Sequence, residues 1–265
     1  MADVEHNSIY GPVDSWRLGR SLGVDVLCVD SICSFECVYC QLGKINRVTT
    51  ERAVFVTTEK VISDLKKADW QSADVITFSG SGEPTLAANL GEVIIAIRAF
   101  TGKPIAILTN STLLGDADVR AEASLADRVY CKLDAWSEDS LRRVDRPAAG
   151  IGLESIISGI RQFRKEFKGF LGTQTMLLTR PADADIERLA ELYREIGPDE
   201  IELNIPLRPI PSEWVLESRG NVTGRPAGMH VLKTMEPREA GEIGSRIAEL
   251  TGIRVITPFD RPGTE

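Results

Sequence analysis

Three cysteines, Cys33, Cys37 and Cys40, stand close together in a C-x3-C-x2-C spacing. Three thiolates suit an iron–sulfur cluster that leaves one iron free to bind another molecule, whereas four thiolates would occupy every iron and limit the cluster to electron transfer. Cys28 would complete a C-x4-C-x3-C-x2-C set, which offers the four ligands of a closed zinc site. Zinc ligands usually come as two separated C-x2-C pairs, so the spacing favours the cluster and keeps zinc as the alternative.

The use of cysteine also indicates the compartment. The chain has five cysteines, and only Cys131 lies outside positions 28–40. An odd and crowded set fits poorly with the disulfide framework of a secreted protein. The sequence begins without a charged-then-apolar leader, and its apolar runs are far shorter than the roughly 20 residues of a membrane span. We therefore expect a cytoplasmic protein with no membrane partner.

The composition is typical of a globular protein. The 265 residues are 43% hydrophobic and 26% charged, which is enough for a packed core in one large domain or at most two. Lys and Arg number 31 against 39 Asp and Glu, giving a net charge of -8. This balance argues against a protein that holds nucleic acid mainly by neutralising phosphates.

Strand-like and helix-like segments alternate along most of the chain. The alternation predicts parallel β/α units with right-handed crossovers, and six such units indicate a partial (β/α)6 barrel within an α/β fold. The cysteine segment, about 29–47, follows the first strand directly. We predict strands over residues 22–28, 74–79, 104–109, 128–133, 171–178 and 200–206, and helices over residues 58–70, 90–100, 151–167 and 183–196.

The pattern breaks after Pro206. A proline-rich stretch and a Gly/Pro-containing loop lead to a last helix over residues 237–250 and a short strand over residues 254–257. The prediction is therefore a barrel domain over residues 1–210, with residues 211–265 as a short C-terminal α/β extension that packs on the barrel.

The turn after the second predicted strand carries two glycines and an acidic residue, Gly80-Ser81-Gly82-Glu83. Glycine permits a tight turn and a close approach of the backbone to a ligand. The pattern favours a binding turn, with an ordinary strand-to-helix turn and a solvated glutamate as the alternative. Asn110 directly follows the third predicted strand and is also a candidate for ligand binding, with the role of a turn former as the alternative.

Polar residues also interrupt the later strands. Alternation places Lys132 and Asp134 on the face that points into the barrel, where they either pair with each other or contact a ligand. Gln174 and Asn204 interrupt the fifth and sixth strands. Each of the two side chains either binds a ligand or forms a hydrogen bond with a neighbouring backbone group.

With Tyr39 in the aromatic place, the cysteine segment reads C-x3-C-x-aromatic-C and resembles the radical S-adenosylmethionine superfamily. The resemblance implies a barrel of the radical SAM type, in which Cys33, Cys37 and Cys40 hold a [4Fe-4S] cluster. It also implies S-adenosylmethionine as second cofactor, chelated to the open iron, with Tyr39 near the adenine. Reductive cleavage of this cofactor would yield a 5′-deoxyadenosyl radical that abstracts hydrogen from substrate.

The same resemblance assigns contacts to S-adenosylmethionine at the strand ends. The glycine turn is similar to the family's Gly-Gly-Glu element, which contacts the methionine ammonium. The ending at Asn110 is similar to the one that reaches the ribose and carboxylate side. The complete set of predicted cofactor-binding residues is Tyr39, Gly80, Ser81, Gly82, Glu83, Asn110, Asp134 and Gln174.

Within the superfamily, the sequence is most similar to the iron–sulfur oxidoreductase group related to wyosine-tRNA synthase. The similarity is carried by residues 11–23, 37–43, 78–86 and 206–209. True wyosine synthases modify a guanosine of tRNA and carry a second cysteine-bound cluster, whose cysteines are missing here. This departure counts against a tRNA substrate and leaves the radical chemistry in place.

The expected function is therefore that of a radical enzyme acting on an unidentified substrate, with a tRNA nucleoside as the first candidate. The resemblance implies a low-potential electron donor similar to flavodoxin or ferredoxin. One alternative is an activating enzyme that installs a glycyl radical on a protein partner, and a weaker one is a zinc-binding module. Arg17 and Arg208 are either solvated or bind an anionic group of the substrate.

Overall fold

The computed structural model describes residues 6–28, 30–214 and 228–259. Its strands are β1 (Ile9–Ser15), β2 (Gly19–Val24), β3 (Ile32–Cys33), β4 (Arg47–Val48), β5 (Val75–Phe78), β6 (Ile105–Thr109), β7 (Arg128–Lys132), β8 (Phe170–Met176), β9 (Glu200–Asn204), β10 (Ile210–Pro211), β11 (Met229–His230) and β12 (Val255–Ile256). Its helices are α1 (Thr58–Lys67), α2 (Leu90–Thr101), α3 (Ala117–Ala123), α4 (Glu138–Val144), α5 (Leu153–Glu166), α6 (Asp183–Ile196) and α7 (Pro237–Thr251).

Eight strands form one sheet in the order β1-β2-β5-β6-β7-β8-β9-β12. β1 is antiparallel to β2, and every other neighbouring pair is parallel. From β2 to β9 the strands lie side by side in chain order, as consecutive β/α units require. Among the described residues, the two edge strands β1 and β12 do not pair with each other, so the sheet is open. The predicted α/β fold with six barrel units is confirmed.

The strands form a parallel sheet because their outward faces are apolar and the helices cover them. In α6, Ile186, Leu189, Tyr193 and Ile196 recur at helical spacing and are all buried. Gly197 then takes a left-handed conformation, with φ of 64°, and ends the helix. Side chains of this kind form the large cluster between sheet and helices, here called the outer core, which includes Cys131 and Cys28.

A second, smaller cluster lies on the inner face of the sheet. Val75, Ala106 and Tyr130 are buried there, and Leu18 and Phe170 pack against them. Most of these residues lie at or just before the amino ends of their strands, and Tyr130 lies in the middle of β7. Apolar side chains therefore fill one end of the barrel interior, which leaves the carboxyl ends of the strands for polar chemistry.

Several elements differ from the sequence prediction. β1 is an additional strand, and it was not predicted because its Gly11-Pro12 pair is typical of a turn. Proline is tolerated there because β1 is an edge strand. The helices α3 and α4 have only 7 residues each, too few for a clear apolar period. The first predicted strand also ends early, at Val24 rather than residue 28.

The C-terminal segment packs on the barrel. The predicted last helix is observed as α7, and the predicted last strand is observed as β12, which pairs in parallel with β9 through Val255 and Ile201. The division of the chain at residue 210 stays a prediction. None of the helices in the described ranges is long and apolar enough to cross a membrane.

Candidate functional site

A cavity of about 400 Å³ lies at the carboxyl ends of the parallel strands. Its volume falls in the range of small-molecule sites, and functional groups of β/α barrels gather at this end. The predicted residues Ser81 and Asp134 are buried behind its wall. The other predicted site residues line it: Cys33, Cys37, Tyr39, Cys40, Gly80, Gly82, Glu83, Asn110 and Gln174.

The cysteine loop is held on one side by the glycine turn. Ile32 donates its N–H to Ser81 O at 2.9 Å, and Glu83 donates its N–H to Ile32 O at 3.1 Å. A Cβ on Gly82 would lie 1.6 Å from Ile32 O, and the φ of Gly82 is 154°. Only glycine allows this approach, so the turn fixes the start of the cysteine segment.

Ser81 supports the turn through Asp25. The Asp25 carboxylate accepts hydrogen bonds from Ser81 N at 3.0 Å and from Ser81 Oγ at 2.6 Å. A Cβ on Gly80 would lie 2.4 Å from Asp25 Cγ, so this glycine is needed as well. Sequence reasoning missed Asp25, although its place directly after β2 was a signal that it lies at this end of the barrel.

The other side of the cysteine loop is held by the segment that ends α4. Val38 donates its N–H to Val144 O at 2.9 Å, and Glu36 donates its N–H to Asp145 O at 3.0 Å. Ala148 in turn donates to Ser34 O at 2.8 Å. Backbone hydrogen bonds thus fix the loop between two parts of the barrel. No sequence signal indicated this contact, because α4 was not predicted.

Burial raises the pKa of all three thiols. The pKa of Cys33 is raised to about 12, first by burial and then by the negative charge of Glu83. Burial and then Asp145, whose Oδ1 lies 3.4 Å from the sulfur, raise the pKa of Cys37, and burial raises that of Cys40. Buried thiolates need positive charge nearby, which iron supplies when it is bound.

The cavity offers three thiols, the number that leaves one iron of a [4Fe-4S] cluster open. Over the described ranges, no three His, Cys, Asp or Glu side chains are placed to hold one metal ion together. In a [4Fe-4S] cluster each cysteine binds a different iron, so the ligands stand around a larger group. Cys28, the fourth cysteine of the zinc alternative, lies in the outer core and does not line the cavity.

Glu83 and Asn110 join the ends of β5 and β6 to the cysteine loop. The buried Glu83 carboxylate accepts hydrogen bonds from Asn110 N at 2.6 Å, Thr109 Oγ1 at 2.7 Å and Thr85 N at 3.0 Å. Burial nevertheless raises its pKa. Asn110 donates its side-chain N–H to Ser34 Oγ at 2.8 Å and lies 3.5 Å from the Cys33 sulfur. Both residues therefore fix the position of the first cysteine.

Tyr39, Lys132 and Asp134 form a buried network beneath the cavity. The Tyr39 hydroxyl donates to Asp134, and the Lys132 ammonium lies 3.0 Å from the same carboxylate and 4.8 Å from the centre of the Tyr39 ring. Asp134 also accepts the N–H of Met176 at 2.8 Å. Burial alone would lower the pKa of Lys132, but Asp134 raises it. Of the two alternatives for Lys132 and Asp134, the structure shows the ion pair, and the same carboxylate positions Tyr39.

Replacing the Tyr39 hydroxyl tests this positioning role. We expect Tyr39→Phe to lower the free energy of unfolding by about 1–3 kcal/mol, because Asp134 loses one hydrogen bond in a buried site. The ring is kept, so the Kd for S-adenosylmethionine should change by less than about two-fold. Urea denaturation and equilibrium binding measure the two effects. An unfolding free energy within about 0.5 kcal/mol of wild type would show that the hydroxyl does not support the network.

Glu202 joins β8 and β9 to the turn between β1 and β2. Its carboxylate accepts a hydrogen bond from Gln174 Nε2 at 2.8 Å and lies 2.6 Å from Arg17 Nε. Glu202 is buried, and burial raises its pKa to about 7 even though Arg17 acts in the opposite direction. β1 and β9 lie near opposite edges of the open sheet, so this ion pair connects the two edges.

The raised pKa of Glu202 predicts a pH dependence of stability. Between its ordinary pKa of 4.5 and about 7, the folded protein binds more protons at this site than the unfolded chain. The contribution of Glu202 to stability is therefore full below pH 4.5 and is lost as the pH rises through 7. Relative to Glu202→Gln, wild type should lose at least about 1 kcal/mol from pH 5 to pH 8 in urea denaturation. A constant difference between the two proteins would contradict the assignment.

Comparison with known proteins shows the family of this chain. The sequence model of the radical SAM superfamily matches residues 29–203, a range that begins just after β2 and contains the cysteine loop, β5 to β8 and most of β9. The chain belongs to the radical SAM superfamily. As a radical SAM protein it is an enzyme that uses a [4Fe-4S] cluster and S-adenosylmethionine, as the resemblance of its cysteine segment implied.

Several curated proteins are similar over most of the sequence. A UPF0026 protein of Synechocystis is 48% identical over 253 residues, which cover 94% of this chain and 95% of that protein. A UPF0026 protein of Methanocaldococcus jannaschii is 38% identical over 77% of this chain and 64% of its own length. A protein named probable GTP 3′,8-cyclase, from Metallosphaera sedula, is 27% identical over 73% of this chain and 58% of its own length. The resemblance to wyosine-tRNA synthase relatives stays a prediction.

Solved structures share the fold. SuiB of Streptococcus suis bound to S-adenosylmethionine superposes with a TM-score of 0.62 at 14% identity, over 89% of this chain and 50% of SuiB. A radical SAM methyltransferase from Sphaerobacter thermophilus gives a TM-score of 0.59 at 16% identity, over 89% of this chain and 65% of the other. At such low identity these likenesses concern the fold alone.

Proposed function

We propose that this protein cleaves S-adenosylmethionine reductively and uses the resulting 5′-deoxyadenosyl radical to abstract hydrogen from a substrate in the same cavity. The observation that carries the proposal is the convergence of Cys33, Cys37 and Cys40 on one cavity with Gly82 and Asn110. Three thiol ligands leave one iron of a [4Fe-4S] cluster open to a further ligand.

The residues around the cysteines have distinct proposed roles. The turn from Gly80 to Glu83 presents backbone groups and a carboxylate at the cavity wall, where they would receive the methionine ammonium. Asn110 and Gln174 offer side-chain amides to the ribose or carboxylate. Asp134 would act indirectly, because its carboxylate accepts the hydrogen bond of Tyr39 and so holds that ring at the cavity.

Exclusion of water is the second requirement of such chemistry, because a carbon radical must meet only its substrate. The inner cluster of Val75, Ala106 and Tyr130 fills the amino end of the barrel interior. The cysteine loop covers the carboxyl end.

We propose that the iron–sulfur cluster receives its electron from a low-potential donor similar to flavodoxin or ferredoxin.

Anaerobic reconstitution with iron and sulfide tests the proposal. We expect about four irons per chain and, after addition of dithionite and S-adenosylmethionine, formation of 5′-deoxyadenosine and methionine. If the cluster forms without cleavage, equilibrium binding of S-adenosylmethionine decides whether the site is built for it, and failure to bind would reject the proposal. A colourless protein with one tightly held zinc would also reject it and would favour the zinc site.

A further inference from the structure

We propose that Arg17 and Arg208 bind a carboxylate or phosphate group of the substrate. The inference rests on the proposed function, since it gives the chemical class of the molecule on which the radical acts. Arg17 lies in the turn between β1 and β2, and Arg208 follows β9. Both side chains line the cavity that also contains the three cysteines.

Arg17 is held in one orientation by its neighbours. Its Nε lies 2.6 Å from the buried Glu202 carboxylate, and its guanidinium carbon lies 4.5 Å from the centre of the Trp16 ring. These contacts occupy one edge and one face of the guanidinium. In the described ranges, the two terminal nitrogens have no hydrogen-bond partner in the protein, so they are available to a ligand.

Arg208 has no such neutralising neighbour. Among the residues that the structure describes, no carboxylate forms an ion pair with it. Arg208 is exposed overall, but partial burial of its guanidinium and then the positive charge of Arg17 lower its pKa, and both side chains line one cavity. An anion that lies between or beside two such charges would be attracted by both.

The charges of the cavity indicate which molecule supplies that anion. Lys132 is balanced by Asp134, and Arg17 is balanced by Glu202, whereas Arg208 is left without a partner in the described chain. The single carboxylate of S-adenosylmethionine would be taken up at the open iron of the cluster, and the cluster itself is bound to the chain only through the three cysteines. An anion bound at Arg17 and Arg208 would therefore belong to the other molecule in the cavity, the substrate.

The residue type fits this role. A guanidinium is a planar fork that binds a carboxylate or a phosphate through two parallel hydrogen bonds, and it stays charged even when partly buried. Asn204, at the carboxyl end of β9, also lines the cavity and offers neutral hydrogen bonds beside the charged pair. The expected substrate thus has an anionic end at the arginines and a neutral polar part towards the cysteines.

The test measures anion binding to the reconstituted holoenzyme with S-adenosylmethionine present, by calorimetry at constant ionic strength. Inorganic phosphate and malonate are the two probes. We compare wild type with Arg208→Gln, with Arg208→Lys, and with the charge-neutral pair of changes Arg17→Gln and Glu202→Gln. Arg238→Gln serves as the matched control, since the Arg238 side chain is 90% exposed on α7.

We expect at least one probe to bind wild type and to bind Arg208→Gln at least about ten-fold more weakly, since a charged hydrogen bond is lost. Arg208→Lys should recover part of the affinity, and Arg238→Gln should match wild type. Binding of phosphate alone or of malonate alone identifies the anionic group of the substrate. The Kd for S-adenosylmethionine should stay within about two-fold in every variant.

Three results would overturn the inference. These are equal anion binding by wild type and Arg208→Gln, an equal loss in Arg238→Gln, and a matching loss of S-adenosylmethionine affinity in Arg208→Gln, which would give the arginine to the cofactor. Formation of 5′-deoxyadenosine is measured separately on the same samples. A wild type that cleaves S-adenosylmethionine but binds neither probe rejects the anion site and leaves the proposed function intact.

Discussion

Alanine at Cys33, Cys37 or Cys40 is expected to abolish both cluster binding and 5′-deoxyadenosine formation. Each thiol faces the cavity, and each would bind a different iron of the cluster. Cys28 cannot replace a lost ligand, because it lies in the outer core. Iron and sulfide analysis, the visible absorption of the cluster and the yield of 5′-deoxyadenosine measure the effect.

The two remaining cysteines provide the controls. Cys28→Ala and Cys131→Ala each remove a buried thiol of the outer core and leave the cavity lining unchanged. Both variants should keep wild-type iron content and cleavage, apart from the modest destabilisation that a small core cavity causes. If Cys28→Ala lost the metal as completely as Cys37→Ala, a four-cysteine arrangement would replace the three-cysteine site.

Much of the fold could be predicted because its signals are local. Apolar residues at helical spacing, with acidic residues at one end and Gly197 at the other, gave α6 its observed bounds. The six parallel strands were readable because they are buried on both faces and separated by helices. β1 was missed because an edge strand can contain a proline, so its sequence does not differ from that of a loop.

The site was predictable only in part, since its contacts join residues far apart in sequence. The types and spacing of Cys33, Cys37 and Cys40 indicated the chemistry, but nothing local indicated that the segment ending α4 holds their loop. Asp134 was predicted as a cofactor contact, and its bond to Tyr39 spans 95 residues. Pairings of this kind follow from the register of the whole sheet.

Changing Gly82 should have the second large effect, because the turn at Gly82 carries the cysteine loop. In Gly82→Ala the new Cβ would lie 1.6 Å from Ile32 O and 2.5 Å from Ile32 C, and backbone atoms cannot move aside as a side chain can. The φ of 154° is also unfavourable for any residue with a side chain. We expect the hydrogen bonds of Ile32 with Ser81 and Glu83 to break.

The predicted cost is about 2–4 kcal/mol in the free energy of unfolding, together with loss of most bound iron, because Cys33 follows Ile32 directly. Gly241→Ala is the matched control: Gly241 lies in α7 with open space around its Cβ position, so alanine there should raise stability by up to about 1 kcal/mol. Urea denaturation and iron analysis of both variants separate the two cases. If Gly82→Ala kept wild-type stability and iron content, the close contact between turn and loop would not be what positions the first cysteine, and Asn110 with Ser34 would have to do so alone.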